Sequence, residues 1–212
     1  MPIRETTPQQ PINPYGHSKL FVEQILRDKV ISDAEFGYVA LRYFNVAGAA
    51  ADGSLGEDHD PETHLIPIAL QPAMGKRDCV TIFGSDYETD DGTCVRDYIH
   101  VEDLCNAHRL ALDAIRPGDA RCYNLGIGRG FSVKEVIDAA SRVTGQNVPT
   151  ELGDRRPGDP PVLVAAADAA RDELGWRPQV TNLDDIIGSA WRWFQHHPDG
   201  YADAETESAN NE

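Results

Sequence analysis

Arg121-Cys122-Tyr123-Asn124-Leu125-Gly126-Ile127-Gly128-Arg129-Gly130-Phe131-Ser132-Val133-Lys134-Glu135 passes from one kind of local pattern to another within a few residues. Arg121 to Leu125 reads as a strand and the glycine cluster 126–130 as a turn. Ser132, with Glu135 three residues later, is a capping box that opens a helix ending near Thr144-Gly145. Strand, tight turn and helix make one unit of an α/β fold, and the alternation recurs on both sides. Upstream, Tyr15 to about Asp28 is helical, with Leu20, Phe21, Val22, Ile25 and Leu26 on a broad apolar face. Tyr38 to Phe44 is a buried strand, and Asn45 to Glu62 a long loop. His64 to Met74 is a helix interrupted by Pro67 and Pro72, Val80 to Phe83 a strand and Ser85 to Gly92 an acidic loop. Val95 to Val101 is extended and Glu102 to Ile115 helical. Downstream, 153–161 is a loop, Val162 to Val164 a short strand, Asp168–Leu174 a helix and Asn182 to His196 a last helix. From Asp199 the sequence is polar and aperiodic, which predicts disorder.

Composition sets limits on partners. The chain has 212 residues, 41% of them apolar, enough for a real core. No apolar run approaches the roughly 20 residues a membrane helix needs, and the opening MPIRETTPQQPINP has no apolar centre of a secretion signal. Nineteen basic against 35 acidic residues give a net charge of −16. That charge argues strongly against a nucleic-acid backbone or an anionic membrane as the main partner. Two origins fit it: an ordinary acidic cytoplasmic protein, or a source with high internal salt, where screening removes self-repulsion. Cys79, Cys94, Cys105 and Cys122 form no CxxC pair, so reduced, partly buried thiols are expected and no metal is. A dinucleotide fold normally opens with a strand, a GxGxxG turn and a helix. Gly126-x-Gly128-x-Gly130 has the wrong spacing, so an ordinary strand-to-helix turn is expected there and no dinucleotide fingerprint is present.

Chemistry enters with Tyr15-Gly16-His17-Ser18-Lys19. A tyrosine and a lysine four apart lie on one helix face. An ammonium beside a phenol stabilises the phenolate, and such a pair moves a proton on or off a hydroxyl. Alone, the spacing also describes a solvated lysine beside a half-buried tyrosine. Its company is more telling: Pro14-Tyr15-Gly16-x-Ser18-Lys19, Leu41-Arg42-Tyr43-Phe44-Asn45-x-x-Gly48, Val95-Arg96-Asp97-Tyr98-Ile99-His100-Val101-x-Asp103 and Tyr123-Asn124-Leu125-Gly126 follow in order. The chain resembles the extended short-chain dehydrogenase/reductases. His64-Leu65-Ile66-Pro67, Ile82-Phe83-Gly84-x-Asp86-Tyr87-x-Thr89-x-Asp91-Gly92-Thr93 and Arg155-Arg156-Pro157-Gly158-Asp159-Pro160-Pro161 narrow the resemblance to the UDP-glucose 4-epimerases, over residues 2 to about 197.

The resemblance implies an isomerase that interconverts UDP-glucose and UDP-galactose through a 4-keto sugar with NAD. Tyr15 takes the proton from the 4-hydroxyl, and Lys19 holds the nicotinamide ribose and steadies the phenolate. Phe44 lies near the cofactor, Asn45 binds the sugar, and His64, Leu65 and Phe83 lie on the uridine side. Arg96 and Arg156 bind the diphosphate, whose oxygens suit arginine's fork, and Asp159 binds the uridine ribose. Each has a plainer alternative: core packing for Phe44 and Phe83, turns for Asn45 and Asp159, a solvated His64, and salt bridges from the arginines to Asp97 or Asp154. Leu163 replaces a bulky tyrosine of some members, which implies room for N-acetylated sugars. Ala166 replaces an aspartate, and Asp168 is expected to cap the next helix instead.

The implied fold is the carboxy-terminal part of a doubly wound Rossmann-type domain with a smaller mixed α/β substrate-binding domain. Residues 1–50 would carry the NAD-binding remnant, 51–197 mainly the substrate-binding domain with returning Rossmann elements, and 198–212 a disordered tail. The chain is expected to be truncated before Met1, inactive or unstable alone, cytoplasmic, and a homodimer at full length. A related nucleotide-sugar dehydratase and a non-catalytic UDP-sugar-binding remnant are the alternatives.

Overall fold

A computed structural model describes residues 2–201 as six α-helices and eight short strands. The helices are α1 (Pro14–Ser32), α2 (Leu65–Leu70), α3 (Val101–Ala114), α4 (Val133–Thr144), α5 (Asp168–Glu173) and α6 (Leu183–His196). The strands are β1 (Tyr38–Tyr43), β2 (Asn45–Ala47), β3 (Val80–Phe83), β4 (Val95–His100), β5 (Ala120–Leu125), β6 (Gly130–Ser132), β7 (Thr150–Gly153) and β8 (Val162–Leu163).

β1 runs parallel to β5, from Tyr38 opposite Ala120 to Tyr43 opposite Leu125. The chain then changes partner. Phe44 donates its N–H to Leu125, and from Asn45 the backbone pairs as β2 with β4. The first half of β4 lies between antiparallel β6 and parallel β8. β3 and β7 form a separate parallel pair. Ile3 adds a bridge to Ala165, extending the extended segment that follows β8.

Two apolar clusters fill the molecule. Trp176, Tyr123, Leu125 and Ile99 centre one, under α3 and α5. The Trp176 indole is buried and donates to Asp103 O at 2.9 Å, so its one polar atom is satisfied. The other gathers Leu70, Val80, Val136, Ile186 and Ile187 from α2, β3, α4 and α6. α4 begins as its sequence requires: Glu135 N–H donates to Ser132 Oγ at 3.0 Å, and Ser132 N–H to Glu135 Oε2 at 2.7 Å.

Several expectations are corrected. Asn45–Ala47 is a strand, not the start of a loop, because β4 offers it a free edge. Gly130 belongs to β6 rather than to the turn, and Thr150–Gly153 forms a strand the sequence did not announce. The helix expected over His64 to Met74 divides into α2 and a 3₁₀ turn at Gln71–Met74, where Pro72 removes an amide donor. Asp168 is not a cap: Ala167 holds that position, with Asp168 first inside the helix. Extended pairing through Ala165 and Ala166 with Ile3 delays the helical turn to that point. Pro198–Tyr201 is part of the fold, not a tail: Tyr201 accepts Gly56 N–H at 2.9 Å and donates its own amide to Asp58 at 2.9 Å. The remainder of the expected tail, 202–212, lies outside the described residues.

α1 runs four residues beyond expectation, and none of its residues is buried. Its apolar face is open, with Ile25 65% and Phe21 54% exposed. Polar contacts hold it. Arg42 of β1 grips Glu23 with both arms of its guanidinium (Nε–Oε1 2.6 Å, Nη2–Oε2 2.5 Å). Hydrogen bonding to Arg42 holds the Glu23 carboxyl below the usual 4.5, against the upward push of burial. A carboxylate depressed in the folded state contributes stability above its unfolded value and loses it as pH falls through the folded one. Amide protection factors over residues 14–32 are therefore expected to fall between pH 6 and about pH 3, ahead of those in β5. Glu23→Gln should abolish that difference.

Candidate substrate site

Tyr15 stands in the first turn of α1. Asn13 caps that turn, accepting Gly16 N–H at 2.8 Å, and Pro14 occupies the first helical position. Tyr15 is 72% exposed, and Lys19 Nζ lies 5.2 Å from its ring centroid. The four-residue spacing thus places the pair together in the folded chain, facing outward.

Phe44 and Asn45 occupy the point where the chain leaves β5 and joins β4, at the carboxyl end of β1. Such ends are where α/β sheets hold ligands. Asn45 Nδ2 donates to Asp97 O at 3.1 Å, leaving its Oδ1 to accept.

A second group forms where the loop 154–161 meets β3 and β4. Phe83 ends β3, 39% exposed, and the Arg156 guanidinium lies 4.0 Å from its ring centroid. Arg96 of β4 donates through Nη2 to Asp159 Oδ1 at 2.8 Å and through Nη1 to Val95 O at 2.9 Å. The plainer alternative, salt bridges from the arginines to Asp97 or Asp154, is not found among the described residues: Arg96 pairs with Asp159 instead, and the Asp97 carboxylate faces the amides of Ile127, Gly128 and Ala165. Leu163 pairs with Arg96 in register and is half-buried. Arg155, by contrast, turns away: it lies over Tyr87 at 4.2 Å and bonds Asp86 through Nε at 2.6 Å. That hydrogen bond holds the Asp86 carboxyl below its ordinary range. Burial pushes the Tyr87 phenol up, so it stays neutral. Gly158 has φ +79° and would bring a Cβ to 3.0 Å from Ile12 Cδ1, so the segment leading to Tyr15 rests on the arginine loop.

His64 and Leu65 are not brought into this group by any contact. His64 precedes α2 with its imidazole against Glu57 (2.7 Å) and Glu62 (3.0 Å), and Leu65 packs on the α2–α4–α6 core.

Asp97 is the residue that sequence reasoning missed. It is fully buried, and its carboxylate accepts three backbone N–H groups: Ile127 at 2.9 Å, Gly128 at 3.0 Å and Ala165 at 3.1 Å. Burial holds its pKa above the ordinary carboxylate value, and the three amides offset only part of that rise. Gly126 is required beside it, since a Cβ there would lie 2.5 Å from Asp97 Oδ2. The glycine turn is thus occupied by an internal anion, in agreement with the ordinary-turn expectation.

The chain belongs to the NAD dependent epimerase/dehydratase family, whose model matches residues 1–126. Within that class its relatives are UDP-glucose 4-epimerases. The enzyme of that name from Streptococcus mutans is 54% identical over 96% of this chain and 61% of its own length. The crystal structure of UDP-glucose 4-epimerase from Bifidobacterium longum in complex with NAD+ and UDP superposes with a TM-score of 0.89, at 44% identity, over 95% of this chain and 60% of that one. The UDP-Glc/GlcNAc 4-epimerase from Campylobacter jejuni gives a TM-score of 0.74 at 46% identity, over 92% of this chain and 59% of that one. This chain therefore spans about three fifths of the length of the relatives it matches. The partial Rossmann-type α/β architecture expected from sequence agrees with these superpositions.

Proposed function

We propose that these residues form the substrate-binding half of a UDP-glucose/UDP-galactose 4-epimerase. The meeting of Phe83, Arg156, Arg96 and Asp159 carries this reading. An aromatic face suits a base, two guanidiniums suit a diphosphate and a carboxylate suits ribose hydroxyls, which together describe a nucleoside diphosphate. Asp159 keeps Oδ2 for a hydroxyl while Oδ1 holds Arg96 in place. His64, through the Nε2 that its Glu57 and Glu62 contacts leave free, and Leu65 would complete the uridine side. Leu163, beside Arg96, leaves space that a tyrosine would fill, which supports acceptance of N-acetylated UDP-sugars.

NAD is the cofactor of this reading, and the chain's residues fit its nicotinamide-ribose end. Tyr15 is open to solvent with Lys19 beside it, and Phe44 stands at the carboxyl end of β1. When bound, NAD accepts and returns the hydride at the sugar C4. Tyr15 takes the 4-hydroxyl proton and gives it back after the keto sugar turns over. Lys19 stabilises the phenolate and hydrogen-bonds ribose. Asn45 accepts from a sugar hydroxyl through Oδ1. Residues 1–50 would then belong to a cofactor-binding unit and 51–197 chiefly to a substrate-binding one, in a cytoplasmic enzyme that works as a homodimer.

Calorimetric titration of the chain with UDP and, separately, with NAD+ tests this. UDP binding without NAD+ binding is expected, because Asp97 holds two amides of the one glycine-rich strand-to-helix turn among the described residues. That outcome also fits a chain that holds UDP-sugars without turning them over by itself. Failure to bind UDP would overturn the reading.

A further inference from the structure

The loop between β2 and α2 gathers four potential ligands: Glu57, His59, Glu62 and His64. One ligand atom from each lies within 4.8 Å of all the others. His64 Nδ1 is 2.7 Å from Glu57 Oε1 and 3.0 Å from Glu62 Oε1. His59 Nδ1 is 3.0 Å from Glu57 Oε1 and 3.9 Å from Glu62 Oε2. A tetrahedron drawn with zinc bonds of about 2.1 Å has edges of about 3.4 Å, and with Glu62 Oε2 as its ligand atom the distances from the two histidine nitrogens to Glu57 Oε1 (3.0 and 2.7 Å) and from His59 Nδ1 to Glu62 Oε2 (3.9 Å) straddle that length.

We propose that these four side chains bind one divalent transition-metal ion of the zinc class. Glu62 is the anchor. Its side chain is only 8% exposed, and its Oε1 is oriented by Thr63 N–H at 2.6 Å and His64 N–H at 2.7 Å. Among the described residues no hydrogen bond reaches its Oε2, which faces His59. Glu57 and Glu62 bring two negative charges together, and among the described residues neither has a lysine or arginine salt-bridge partner. A dication matches that charge. Two imidazole nitrogens with two carboxylates favour zinc over magnesium, which prefers all-oxygen octahedra. Both rings turn Nδ1 toward the same Glu57 oxygen, His59 at 3.0 Å and His64 at 2.7 Å. A bound ion would tie the loop to the start of α2 and fix the direction of His64. It would coordinate this cluster with no part in the hydride chemistry.

The test uses the whole chain, stripped with EDTA and dialysed against zinc, with no UDP or NAD+ present. Its outcome is therefore independent of the nucleotide titration. One zinc per chain is expected, undisturbed by excess Mg2+, and cobalt should give the intense visible bands of a tetrahedral site. His59→Gln and Glu57→Gln should each weaken zinc binding at least about tenfold and erase the cobalt bands. His59 is 53% exposed at its side chain, so its replacement leaves the fold intact, which circular dichroism checks. His108→Gln, on α3, should change nothing. No bound zinc, displacement by Mg2+, or zinc and cobalt binding unaltered in both cluster variants would each overturn the proposal.

Discussion

Replacing Asp97 by alanine is expected to lower the stability of this chain by about 3–5 kcal/mol, because it leaves three buried N–H donors without an acceptor. The donors come from three places: Ile127 and Gly128 in the turn after β5, and Ala165 in the segment after β8. One carboxylate on β4 therefore ties two chain segments that are distant from it in sequence. A water admitted to the space has two lone pairs and could not accept from all three donors, and Gly126 and Ala165 close over the site. A loss of that size corresponds to roughly 10 °C in melting temperature for a chain of this length. Asp97→Asn keeps one acceptor oxygen but turns an amide NH2 toward a donor, so it should fall between the parent and the alanine variant. Thermal melting by circular dichroism reads the series. An alanine variant melting within about 2 °C of the parent would show that the three amides find other partners.

Asp97 also marks where sequence reasoning stops. A strand reads as alternating faces, and Val95-Arg96-Asp97-Tyr98 puts polar residues on both. Nothing in that pattern tells a solvent-facing carboxylate from one turned into the interior. The turn at Gly126 was legible as a turn because glycines and a capping box are local signals. Its filling by Asp97, 30 residues upstream of Ile127, was not. The same division runs through the strands. β3 is a run of β-branched and aromatic residues, and β1 and β5 are apolar-rich stretches bounded by turn signals, so all three could be read. β2, β6 and β7 have three or four residues each, and their conformation is set by pairing with β4 or β3 from far along the chain. α4 and α6 began where Ser132 and Asn182 signalled, since a cap is a contact within one turn.

The candidate site divides in a similar way. Tyr15 and Lys19 are four residues apart, so helical geometry alone joins them. Arg96 and Asp159 are 63 residues apart, and their ion pair needed the fold to bring β8 alongside β4. The motifs gave both residues a role, but not each other. His64 is the sharpest divergence: its motif pointed to uridine, while its imidazole is engaged by Glu57 and Glu62. The spacing of Glu57, His59, Glu62 and His64 within eight residues is the local signal for that cluster, and cysteine spacing carries no trace of it.

Replacing Arg96 by methionine is expected to weaken UDP binding by roughly 10- to 100-fold, the equivalent of losing about 1.5–3 kcal/mol of charge-assisted hydrogen bonding. Methionine keeps much of the aliphatic stem, so packing beside Leu163 is retained while the fork is lost. In the proposed reading the guanidinium acts twice: it would supply donors to a phosphate, and it holds Asp159, whose other oxygen would meet the ribose. Arg96→Lys keeps the charge but cannot make both contacts at once, and should lie between the two. Arg155 provides the internal comparison. It stands next to Arg156 in sequence, yet it pairs with Asp86, whose side chain is 75% exposed, and lies over Tyr87. Exposed pairs of that kind contribute little, so Arg155→Met should change UDP affinity less than about threefold. Calorimetric titration of the three variants decides the matter. Equal losses at Arg96 and Arg155 would mean that the loop contributes only general positive charge. An unaltered Arg96→Met would remove the diphosphate from this face of β4.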